Sequence, residues 1–126
     1  MKELCNKVQL FLLQDIQSFR ENVITLKPGC SAVTLSTDDF TLTPKKETGD
    51  AGTLYNIEED ITIEKVITSV ASLYKIRRSI ILQLETLPDH SPLFIGSMEW
   101  PAKVSITTHL NKDTLHIHSK MRQSPL

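Results

Sequence analysis

Residues 103–120, KVSITTHLNKDTLHIHSK, alternate apolar and polar side chains on two arms around a polar turn. That pattern constrains the fold more than any other in the chain. Successive side chains of a strand point to opposite faces. Val104, Ile106 and Leu110 therefore share one face of the first arm, and Leu115 and Ile117 share one face of the second. Asn111, Lys112 and Asp113 supply turn chemistry between them. Burying both apolar rows on one side fixes the parity of the pairing, because a slip of one residue flips an arm. The same parity sends His109, His116 and His118 to the polar face.

The register decides what those histidines do. If Leu110 pairs with Leu115, His109 faces His116 and Thr107 faces His118. Directly opposed Cβ atoms are about 4.5–5.5 Å apart, near enough for two imidazoles to share an ion. His109, His116 and His118 are thus a candidate metal centre, with zinc the ion that suits neutral imidazole nitrogen. A register two residues shorter sets Thr107 opposite His116 and loosens the cluster. Histidine also titrates near neutrality, so a pH-sensitive contact face is a third reading. A solvated face that happens to carry histidine is the plain alternative.

A chain of 126 residues, 40% hydrophobic and 23% charged, suits one soluble domain with a real core. The expected domain covers residues 1–120, with 121–126 a frayed tail. A net charge of −1 gives no global footprint for nucleic acid. Cys5 and Cys30 fall in no metal-knuckle or redox spacing, and two free thiols in a reducing compartment are expected. The apolar run at residues 10–13 is too short for a secretion signal, and no stretch is long enough to span a membrane. A cytoplasmic protein is expected.

Residues 2–20 carry Leu4, Val8, Phe11, Leu12, Ile16 and Phe19 at helical spacing. Short strands are expected near residues 23–26, 31–36, 40–43 and 54–57. The segment 44–53, PKKETGDAGT, reads as a surface loop, and its glycines lack the lysine and helix that a phosphate cradle needs. Residues 62–86 present a second broad apolar helical face that Pro88 would stop. The alternative is a strand over 79–86. Together these predict an α+β fold: an antiparallel sheet of about four to six short strands packed against two helices.

Two charges interrupt the helical stripes, Asp15 in the first and Arg77 in the second. A lone buried charge is costly, so the two are expected to pair within the fold or across a subunit contact. Snorkelling to water is the alternative. Leu10, Leu13, Ile76 and Leu82 fall outside the stripes and, with Trp100, are candidate interface residues. The basic trio Lys75, Arg77 and Arg78 reads as a solvated face. No nucleophile elbow is present, and the acidic run Glu58, Glu59 and Asp60 reads as a solvated turn. No catalytic residue stands out.

The expected function is that of a non-enzymatic assembly or adaptor subunit docking into a homo-oligomer or a larger protein complex. Secretion chaperones and phage structural subunits offer parallels at the level of fold class alone. The alternative is a metal-binding or metal-dependent hydrolytic domain built on the three histidines.

Overall fold

A computed structural model describes residues 4–49, 52–86 and 91–121, with side chains from Asn6 onward. The fold is all-β, which corrects the α+β expectation. Strand β1 spans Leu4–Leu12 and runs through a single 3₁₀ turn, Leu13–Asp15, into β2, Ile16–Arg20. There follow β3 (Val23–Leu26), β4 (Val33–Ser36), β5 (Lys45–Gly49) and β6 (Gly52–Ile63). A short helix α1, Thr68–Leu73, leads to β7 (Arg78–Thr86), β8 (Ser91–Ile95), β9 (Ala102–Thr108) and β10 (Asp113–Met121). Among the described residues no helix is long and apolar enough to cross a membrane.

Both expected long helices are strands for one reason, two-sided burial. Along β7, Ile80, Ile81 and Leu82 are all fully buried. Ile80 and Leu82 face the main core, whereas Ile81 faces a second cluster with Phe11 and Ile16. A strand covered on both faces loses its alternation and imitates a broad helical stripe. Residues 4–12 behave alike, with Val8 and Leu10 turned to the main core and Phe11 to the second cluster. Of the helix expected over 62–86, only α1 is helical. The alternative strand over 79–86 is the one observed, within β7. The expected loop over 44–53 instead contains β5 and the start of β6, paired from Lys45 with Asn56 to Gly49 with Gly52. Asp50, Ala51 and the tail beyond Met121 lie outside the described residues.

The main sheet runs β4-β1-β7-β9-β10-β6-β5, with β8 also paired to β7. It closes on itself. Thr37, just past β4, bridges Ile63 at the end of β6. Asp38 N–H donates to the Thr62 carbonyl at 3.0 Å, and Glu64 N–H to Ser36 at 2.9 Å. This seam ties the end of β4 to the end of β6. The enclosed core takes Leu10 from β1, Leu82 from β7, Val104 from β9, Leu115 from β10 and Ile61 from β6.

Helix α1 lies at one end of this barrel. Val66, Val70 and Leu73 pack on the core, and Tyr74 is fully buried. Ile106 N–H donates to the Tyr74 carbonyl at 2.8 Å, which fixes the chain to β9. Burial, with a smaller push from Asp15, raises the Tyr74 hydroxyl to about 12 against the opposing pull of Arg78.

Left-handed backbone shapes the turns at Glu21–Asn22 and at Gly96, among others. Glu21 and Asn22 both have positive φ (51° and 61°) and join β2 to β3 in a two-residue hairpin, the conformation whose twist suits paired strands. This hairpin covers the outer face of β7, with the Phe19 ring tilted by 53° against that of Phe94, their centroids 4.8 Å apart. Gly96 has φ of 96° and sits where the edge of β7 changes partner from β8 to β9. A Cβ there would lie 2.7 Å from Ala102 N.

Candidate functional site

Strand β10 alternates as its sequence demands. Asp113, Leu115, Ile117 and Ser119 are buried, while His116 and His118 face outward. Both neighbours are antiparallel. His116 lies between Ser105 of β9 and Asp60 of β6, and His118 between Lys103 and Glu58. The acidic run is therefore split by the pleat: Glu58 and Asp60 flank the histidines on the outer face. Glu59 shares the parity of Ile57 and Ile61, and its Oε1 accepts the Thr43 N–H at 3.1 Å.

On this face Asp60 Oδ1 lies 2.6 Å from His116 Nδ1, and Thr107 Oγ1 lies 2.8 Å from His116 Nε2. His118 Nε2 is 3.4 Å from Glu58 Oε1. Lys103 Nζ donates to Ser79 Oγ. Arg77 and Lys103 border the same shallow polar depression as Asp60, His116 and His118.

The hairpin register differs from both expected ones. Ile106 pairs with Leu115 and Thr107 with Thr114, so the parity argument holds but Leu110 is expelled from the apolar row. It is 92% exposed in the connecting loop. His109 lies in that loop and does not join His116 and His118. Among the described residues no three or more histidine, cysteine, aspartate or glutamate side chains are grouped to hold a metal ion.

The cause of the shift is Asp113, whose carboxylate is buried at the head of β10. Its Oδ1 accepts from Lys65 Nζ at 2.7 Å and from His109 N–H at 3.2 Å, and its Oδ2 accepts Val66 N–H at 2.9 Å. Lys65 Nζ also reaches the His109 carbonyl at 2.6 Å. Burial alone would raise the Asp113 carboxyl. The hydrogen bonds from Lys65, Val66 and His109, with the Lys65 charge, hold it below the ordinary value. One carboxylate thus pins the β9–β10 loop to the segment before α1, and Ile67 beside it is 69% exposed.

The expected interface residues scatter. Leu10 and Leu82 are direct cross-strand partners in the core, not surplus apolar surface. Leu13 packs on the second cluster. Ile76 is exposed, and Trp100 is partly exposed in the turn after β8. Asp15 and Arg77 are not brought together. Arg77 is exposed beside the histidine face, whereas Asp15 lies at the thiol of Cys30. Cys30 is a free thiol, pushed upward by burial and then by Asp15, which makes it a poor nucleophile. The side chain of Cys5 lies outside the described residues.

Compared with known proteins, the chain matches no family model, no curated protein and no solved structure.

Proposed function

We propose that this chain is an assembly subunit that self-associates through the barrel end carrying Leu110 and Ile67. The observation behind this reading is the Asp113 clamp. A slack loop can turn an apolar residue inward; this one is tied at His109 and Asp113, with Leu110 held out between them. Ile67 follows Val66, whose N–H is on the same carboxylate. Single exposed apolar residues are ordinary, but two large ones fixed around one buried group support reading this end as a contact surface. A net charge of −1 leaves little long-range repulsion between copies.

Native mass spectrometry of the untagged protein tests this. An oligomer is expected, and Leu110→Asp should convert it to a monomer of unchanged circular dichroism. A wild-type monomer across the micromolar range, or an oligomer indifferent to Leu110→Asp, refutes the reading.

A further inference from the structure

His116 of β10 lies directly opposite Asp60 of β6, and Thr107 of β9, two residues beyond the paired Ser105, reaches the same ring diagonally. Chemistry sets the polarity of the line. An ionised carboxylate only accepts hydrogen bonds. His116 Nδ1–H therefore donates to Asp60 Oδ1, 2.6 Å away. With that tautomer the lone pair of a neutral ring is at Nε2, and the Thr107 hydroxyl, 2.8 Å away, is placed to donate to it. The hydroxyl is thus hydrogen-bonded to a base whose other nitrogen is held by an anion. That is the order of groups that turns a weak hydroxyl into a nucleophile. Thr107 is exposed, so an electrophile can reach it.

We propose that Thr107 is a nucleophile toward ester carbonyls, with His116 as its base and Asp60 as the positioning residue. Thr107 Oγ1 bonds to the carbonyl carbon as its proton passes to His116 Nε2. The bond from that carbon to the alcohol oxygen then breaks, and the departing alcohol takes the proton back from His116. The acyl group remains on Thr107 as an ester. This activity is independent of the docking surface, because Leu110 and Ile67 take no part in it.

The test is labelling of the full chain with an alkyl fluorophosphonate. The same attack forms an oxygen–phosphorus bond, expels fluoride and leaves a stable adduct. One adduct per chain is expected, mapped to Thr107 by peptide mass spectrometry. Thr107→Val should abolish it and Thr107→Ser retain it. His116→Gln should slow labelling by on the order of a hundredfold or more, the usual weight of a general base. Asp60→Asn should also slow it, and Asp60→Glu should restore part of the rate, as a positioning carboxylate requires. These positions are on the outer face, and circular dichroism checks that each variant folds. No adduct, an adduct at Ser105 or elsewhere, or labelling indifferent to His116→Gln overturns the proposal.

Discussion

The Asp113 carboxylate and the Lys65 ammonium meet at 2.7 Å with opposite solvation, the Asp113 side chain fully buried and that of Lys65 44% exposed. The acid gives up its water and is satisfied by one cation and two backbone amides, while the base keeps part of its hydration. Asp113→Asn keeps one acceptor oxygen but turns an amide group toward the donors. A loss of about 1–3 kcal/mol is expected, read as a lower urea midpoint with unchanged slope. A variant as stable as the parent would mean that the buried carboxylate is dispensable.

The same group sets an acid limit. The folded Asp113 carboxyl lies below its ordinary value. Its contribution is therefore complete above the unfolded pKa, about 3.9, and is lost as pH falls through the lower folded value. Urea unfolding at stepped pH should show the gap between parent and Asp113→Asn closing below about pH 4. A gap that stays constant into strong acid would contradict the assignment.

Tyr74 sets an alkaline limit. Its hydroxyl is buried with no hydrogen-bond partner among the described residues. Tyr74→Phe removes that group and keeps the ring, so stability should rise by on the order of 1 kcal/mol. Because the folded hydroxyl is raised to about 12 from 10.0, its ionisation does not affect stability below 10. As pH climbs from 10 toward 12 the unfolded chain ionises first and stability should fall, a component that the phenylalanine variant should lack.

Two glycine substitutions separate backbone strain from collision. Gly29 and Gly96 both have positive φ, at 81° and 96°. A Cβ at Gly29 meets open space, whereas at Gly96 it meets Ala102 N at 2.7 Å and the Ile80 carbonyl at 3.2 Å. Gly29→Ala should cost about 1–3 kcal/mol. Gly96→Ala should cost clearly more, because the partner change along β7 must also shift. Thermal melts of both variants make the comparison, and equal costs would deny the collision.

Leu82 and Ile76 test the corrected interior. Leu82→Ala should cost about 2–5 kcal/mol, as for any fully buried leucine. Ile76→Ser should fall within about 0.5 kcal/mol of the parent, since Ile76 is 61% exposed. The reverse ranking in chemical denaturation would restore the helical reading of this segment.

The hairpin was legible because one of its faces is wet: the rows of Val104 and Ile106 and of Leu115 and Ile117 fixed its parity. Its register was not, because Asp113 takes an inward position where hydrophobic patterning places Leu110. The amides that justify a buried acid belong to Val66 and His109, and nothing local to Asp113 announces them. The supposed helices failed where Ile80, Ile81 and Leu82 are buried on both sides of one strand. At the candidate site His116 was found by alternation. Asp60 was not, because its place beside His116 depends on a pairing 56 residues apart.

The closure between β4 and β6 has a further consequence. The other joints around the barrel are ladders, whereas this one has the bridge of Thr37 with Ile63 and two flanking hydrogen bonds. Lys112 spans it from outside, at 2.7 Å from Asp38 and 3.3 Å from Glu64, but ion pairs so exposed hold little. Thermal breathing should begin at this seam, with the amides of Asp38 and Glu64 trading hydrogen for deuterium ahead of those in β7 and β10. Each such opening briefly unrolls the barrel and offers unpaired strand to any neighbour able to complete it.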